Sequence, residues 1–129
     1  MILAIKTDQA QADLHLYQDG KLVDSYSWLA GRQLSDTLLQ KITQLLKNNK
    51  VRLEDLKAIV VYQGPGSFTG LRIGISIANS MAYSLDIPVL ASGGTEWVKE
   101  ASSGLNADNY TIGAIPVYGA AANITKQRK

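Results

Sequence analysis

The chain mixes two apolar patterns. Short runs that are apolar on both faces, "MILAI" at the start and "KAIVVY" at residues 57 to 62, predict central strands of a covered sheet. Between them "ADLHLY" alternates, with Ala12, Leu14 and Leu16 on one face and Asp13, His15 and Tyr17 on the other, the period of a half-buried strand. His15 thus falls on the polar face, as an ordinary surface side chain. Asp19-Gly20 predicts a hairpin turn and "KLVDSYSWL" the return strand. Helical spacing takes over after Gly31. Leu38, Leu39, Ile42, Leu45 and Leu46 cover about 120° at roughly 100° per residue, a single buried stripe. Ser35 is the expected N-cap, Asp36 suits the first turn, and Lys47, Asn48, Asn49 and Lys50 end the helix. A second helix spans about Phe68 to Leu85. "IPVLA" predicts a short buried strand, "GTEWVKEAS" a short helix and "NYTIGAIPVY" a last extended segment.

The predicted order is three strands, then helix, strand, helix, strand, helix and an extended piece. Strand-helix-strand crossovers are right-handed in nearly all cases. With the fourth strand beside the first and the fifth beside the fourth, both crossovers move the same way and both long helices lie on one face. The expectation is an α/β, ribonuclease H-like lobe with a mixed five-stranded sheet of order 3-2-1-4-5. It covers residues 1–105. Residues 106–129 form a separate extended segment and basic tail.

Composition narrows the chemistry. The chain has 129 residues, 46 % of them hydrophobic, which suits one domain with a packed core. Without cysteine there is no disulfide, thiolate metal site or cysteine nucleophile, and the absence fits a reducing compartment. The single histidine excludes a multi-histidine metal site. No apolar run reaches membrane-spanning length, and the N-terminus lacks a signal-peptide pattern. The expectation is a cytoplasmic protein away from the membrane, with no cofactor. A net charge of +2 selects no partner. After Asp108 there is no acid, and the chain closes Lys126, Arg128, Lys129. The tail reads as a solvated end, with contact to a polyanion such as RNA as the alternative.

The segment "GPGSFTG" at residues 64 to 70 is the most unusual stretch. A glycine-rich turn that opens a helix suggests phosphate. A P-loop ends in Gly-Lys-Ser/Thr, whereas Gly70 is followed by Leu71 and Arg72. An anion site would use Gly64, Gly66, Ser67 and Arg72, without a motif lysine or a carboxylate to hold Mg²⁺. Packing is the stronger reading. Gly66, Gly70, Gly74, Ala78 and Ala82 are spaced by four and make one smooth ridge. Glycine inside a helix costs about 1 kcal/mol relative to alanine, and close backbone approach is the usual compensation. The whole apolar arc of this helix is about 220° wide by the same stepping. One side would face the sheet and the other a neighbouring helix or a partner. Phe68, Leu71 and Ile75 form the side expected to be left over. The expected partner-binding set is Phe68, Gly70, Leu71, Gly74, Ile75, Ala78 and Ala82, with Leu39 of the first helix.

"GPGSFTGLRIG" resembles the signature of the TsaB (YeaZ) family, a component of the bacterial tRNA threonylcarbamoyladenosine machinery. "MILAIKT" resembles the family's opening strand, which usually ends Ile-Asp-Thr-Ser. "RQLSDTLLQKITQLL" resembles its first helix, usually Arg-x-His-Ser-Glu-x-Leu-Leu. "LEDLKAIVVYQGPGSFTGLRIG" and "AYSLDIPVLA" continue in register, so the likeness covers about residues 1 to 100. It implies an actin-like fold of two ribonuclease H-like lobes and a non-catalytic subunit. The partner it implies is the paralogue TsaD, which carries the metal and modifies tRNA and is joined through a helical bundle. An ATPase, TsaE, completes the complex, and tRNA is met only indirectly. When TsaD is absent, the same surface implies a homodimer.

Several positions depart from the family pattern. Lys6 stands where the family has its strand-end aspartate, and Asp8 where it has serine. Leu34 replaces the first-helix histidine and Asp36 its glutamate. Lys6 argues against ATP hydrolysis, and no His-x-x-x-His pair supports a peptidase. The second lobe would begin near "TIGAIPVY". The expectation is therefore a scaffold or regulatory subunit with no catalytic residue and no metal site. The alternatives are an actin-like phosphotransferase or peptidase, and a self-associating adaptor without the TsaD role.

Overall fold

The computed structural model describes residues 1–64, 66, 68–93 and 97. The predicted "GTEWVKEAS" helix, apart from Trp97, and the extended segment and tail at 106–129 lie outside the described residues. Among the described residues three strands, β1 (Ile2–Lys6), β2 (Gln11–Gln18) and β3 (Lys21–Leu29), are followed by helix α1 (Leu34–Asn48), strand β4 (Ala58–Tyr62), helix α2 (Phe68–Leu85) and strand β5 (Val89–Ser92). The sheet order is β3-β2-β1-β4-β5, as the crossover rule requires. β1 pairs antiparallel with β2 and parallel with β4, and β4 pairs parallel with β5. Asp19 and Gly20 both have positive φ, 53° and 80°, which is what the two-residue hairpin turn between β2 and β3 needs.

Odd positions of β1 and even positions of β2 face the helices. Leu3, Ile5, Leu14, Leu16, Ile59 and Val61 form the main core with Leu38, Ile42 and Leu45 of α1 and Ile75, Ala78 and Ala82 of α2. The opposite face carries a smaller core of Ala4, Val60, Tyr62, Leu71, Leu90 and Trp97. β1 and β4 are therefore covered on both sides, which is why they read as continuous apolar runs.

Three local expectations are corrected. Ser35 does not cap α1. A 3₁₀ turn at Gly31–Gln33 leads into the helix at Leu34, with no side-chain cap. Gly31, at φ +51°, supplies the bend ahead of it. Leu39 is not buried. It lies at the flank of the α1 stripe and is 54 % exposed. His15 is half-buried rather than a free surface side chain. Trp97 covers that face of the sheet, with ring centroids 6.4 Å apart.

Candidate functional site

In open sheets with parallel strands, ligands bind beyond the carboxyl ends of the strands. Here that end is built by Lys6 at the end of β1, Thr7 and Asp8 just after it, Gly64 and Gly66 after β4, Gly93 after β5 and the first turns of α2. The glycines are there because other groups occupy the space a side chain would take. A Cβ on Gly74 would collide with Thr7 Oγ1 and come within 3.3 Å of Thr7 Cβ and Cγ2. A Cβ on Gly66 would lie 2.5 Å from Asp8 Cβ, and one on Gly93 would run into the Gly64 carbonyl. Thr7, 1 % exposed, donates its hydroxyl proton to the Gly70 carbonyl at 2.7 Å. The loop after β1 is thus pressed onto the small-residue ridge of α2. Thr7 was not singled out from the sequence. A ridge of small residues implies a partner backbone or short side chain, and the Thr of the family's Ile-Asp-Thr-Ser was the available signal.

The charges at this end neutralise each other. Lys6 Nζ meets Asp8 Oδ1 at 2.6 Å, with the two side chains 23 % and 9 % exposed. The same ammonium lies 4.6 Å from the Tyr62 ring centroid, and Tyr62 packs edge-on against Trp97 at 5.8 Å. A carboxylate beside Gly66, close to the helix N-terminus, suits the local field and opposes a second anion there.

Of the anion set, Gly64 and Gly66 are brought to this end, Gly64 at φ +123°. Arg72 is exposed, and Ser67 lies outside the described residues. Among the described residues no group of three His, Cys, Asp or Glu side chains could hold a metal ion. No described helix is long and apolar enough to cross a membrane.

The expected leftover side of α2 is corrected. Leu71 and Ile75 are buried within the lobe, Leu71 against Tyr62 and Leu90 in the smaller core and Ile75 in the main one. α2 lies over β4 with β1 and β5 beside it and α1 alongside, so the lobe itself takes up both flanks of the wide arc. Gly74, Ala78 and Ala82 are buried with them and Gly70 is half-buried. Phe68 begins the helix, and its side chain lies outside the described part. On the outer side Ile73 and Ile77 are only partly buried and Leu39 is exposed.

Among the described residues His15 and Asp24 are shifted from their ordinary values. Burial lowers the His15 pKa below 6.5, opposed by Asp13 and reinforced by Lys6. Among the described residues its buried Nδ1 has no hydrogen-bond partner. Asp24 is lowered below 3.8, first by the Asn49 side-chain amide at 2.9 Å and then by the Ser25 N–H at 2.8 Å.

Known proteins match this arrangement. The family model for TsaD, tRNA N6-adenosine threonylcarbamoyltransferase, matches residues 28–103, more than half of the chain. The tRNA threonylcarbamoyladenosine biosynthesis protein TsaB of Bacillus subtilis (strain 168) is 36 % identical over 90 residues, 70 % of this chain and 39 % of that protein. TsaB of Escherichia coli (strain K12) is 35 % identical over 89 residues, 69 % of this chain and 38 % of that one. The solved structure of YeaZ from Pseudomonas aeruginosa superposes with a TM-score of 0.66 at 33 % identity, covering 71 % of this chain and 43 % of that one. Thermus thermophilus RuvC shares the fold alone, with a TM-score of 0.52 at 12 % identity. The chain spans about two-fifths of the length of these TsaB relatives. With the sheet order 3-2-1-4-5 and a glycine turn opening the second helix, these matches show that the chain belongs to the TsaB (YeaZ) family of tRNA threonylcarbamoyladenosine proteins.

Proposed function

We propose that this lobe is a non-catalytic subunit in the formation of threonylcarbamoyladenosine on tRNA, and that it acts by docking a TsaD paralogue. The observation that carries the reading is the strand-end site. Thr7 is hydrogen-bonded to α2, Lys6 and Asp8 are paired with each other, and the glycines leave no room beside them. That arrangement offers neither a free nucleophile nor a metal-binding cluster among the described residues. What remains for function is the surface of the helical pair. On this reading Leu39 of α1 and Ile73 and Ile77 of α2 face TsaD in a helical bundle, with Gly70 at the near end of the seam. The buried members of the expected set, Leu71, Gly74, Ile75, Ala78 and Ala82, set the shape of α2 from beneath. In the absence of TsaD the same seam pairs two copies, and a TsaE-like ATPase joins the assembled complex.

The experiment is reconstitution. TsaD from the same organism should co-elute with this chain, and tRNA modification by the mixture should require both proteins. Failure to co-elute at micromolar concentrations, or modification unaffected by leaving this chain out, would refute the proposal.

A further inference from the structure

α1 ends in a Schellman turn. The Val51 N–H donates to the Leu46 carbonyl at 2.9 Å and the Lys50 N–H to the Lys47 carbonyl at 3.1 Å. The residue just past the cap in this motif is left-handed and is usually glycine, because a Cβ is disfavoured there. Here it is Lys50, at φ +57°. Leu46 and Val51, the pair whose apolar contact usually accompanies the motif, line a cavity of about 340 Å³. Thr43, Lys47, Lys50, Arg52 and Leu53 complete its lining.

Three cations converge on this cavity with little to neutralise them. Lys47 and Lys50 have no ion-pair partner among the described residues. Arg52 approaches Glu54 only at 3.9 Å, with the two side chains 75 % and 73 % exposed, a pairing of little strength in water. The Asp55 carboxylate is engaged by the Arg52 backbone N–H at 2.9 Å. The cavity lies where α1 ends and the chain turns back towards the start of β4, away from the Lys6–Asp8 end of the sheet. The left-handed backbone of Lys50 places its side chain at the rim of the cavity, beside Lys47 and Arg52.

We propose that this cavity docks an acidic peptide segment, which inserts one aliphatic or aromatic side chain over Leu46 and Val51 and sets its flanking carboxylates against Lys47, Lys50 and Arg52. The volume is at the small end of ligand sites, which run from roughly 300 to 1,000 Å³, and suits a single side chain. An RNA strand fits less well. Among the described residues no aromatic side chain lines the cavity to stack a base, and Leu46, Val51 and Leu53 offer an apolar contact that a sugar-phosphate strand does not use. The proposal rests on the helix end alone and does not depend on TsaD docking.

The test uses the full chain and a fluorescent nonapeptide of Glu and Asp around one central Leu, followed by anisotropy. Saturable binding is expected. It should weaken about tenfold when the central residue is serine or when Lys50→Gly removes one charge-assisted contact, and more for Lys47→Glu combined with Arg52→Glu. Lys50→Gly should at the same time raise the melting temperature, so its binding defect is not a folding defect. The proposal falls if there is no saturable binding, if the serine peptide or a lysine-for-glutamate peptide binds equally well, or if Lys50→Gly binds as wild type does. Tighter binding of nonauridylate that displaces the acidic peptide would overturn it in favour of nucleic acid.

Discussion

Replacing Gly74 by alanine tests whether the ridge of α2 is a packing device. In an ordinary helix interior this change stabilises by about 1 kcal/mol. Here the new methyl would enter the space of Thr7 Oγ1 and lie 3.3 Å from Thr7 Cβ and Cγ2. The threonine is 1 % exposed, and its hydroxyl is bonded to the Gly70 carbonyl. Accommodation requires Thr7 to rotate or the loop after β1 to lift. Overpacking costs about 1–3 kcal/mol, and a hydroxyl torn from its partner while buried costs a further ~1–3 kcal/mol. The local strain exceeds the gain in helix propensity, so Gly74→Ala should destabilise by about 1–5 kcal/mol, or several degrees in melting temperature. Thr7→Ala removes both Oγ1 and Cγ2 and makes room. The double variant should therefore be no less stable than Thr7→Ala alone, giving a favourable coupling of at least ~1 kcal/mol in a double-mutant cycle. Urea denaturation of the four proteins is the assay. If Gly74→Ala instead stabilises the wild type by the full propensity gain and the cycle shows no coupling, the close approach of α2 to the β1 loop is wrong.

Other changes probe the remaining features. Lys6→Met leaves Asp8, 9 % exposed, without its partner, and should cost about 1–3 kcal/mol, a partly buried pair losing less than a fully buried one. Adding Asp8→Asn should recover part of that loss in the same denaturation assay. His15 has a folded pKa below its ordinary 6.5, so the unfolded chain binds the extra proton. Stability should be full above that value and decline as pH falls through the lower, folded one. His15→Gln should flatten the decline measured by thermal melts. Asp24, lowered below 3.8, adds a second decline of the same sign at more acid pH, which Asn49→Ala should weaken. Ile75→Glu should unfold the lobe, since Ile75 is in the main core, whereas Ile73→Glu should give a folded protein that no longer co-elutes with TsaD. Circular dichroism and gel filtration separate the two.

Much of the fold was legible because local pattern and topology agreed. Residues apolar on both faces became β1 and β4, the Asp19-Gly20 turn became the hairpin, and the crossover rule gave the sheet order. The misses came from tertiary context. The stripe of α1 included Leu39 because angular stepping does not say where the edge of the neighbouring sheet falls. The second side of the wide α2 arc was left to a neighbouring helix or a partner, with Leu71 and Ile75 left over, because a sequence does not show that one helix can lie over three strands and bury Leu71 in the smaller core. His15 sat on a polar face by alternation, and only the fold brings Trp97 over it.

The strand-end site shows why motif logic and packing logic had to be weighed together. A glycine turn ahead of a helix is equally compatible with a phosphate and with a backbone or side chain of the protein itself, since each needs the absence of a Cβ. The discriminating residues are those on the facing loop, about sixty positions earlier in the chain. There Thr7 bonds to the ridge, Asp8 fills the ground beside Gly66, and Lys6 neutralises Asp8 while resting on Tyr62. The two positions at which the sequence departs from the family pattern, Lys6 and Asp8, are thus each other's partner. Each supplies the charge that the other needs where both are largely out of water. With Thr7 bonded to the ridge and Asp8 beside Gly66, the missing side chains at Gly66 and Gly74 are what let α2 lie close against the loop after β1.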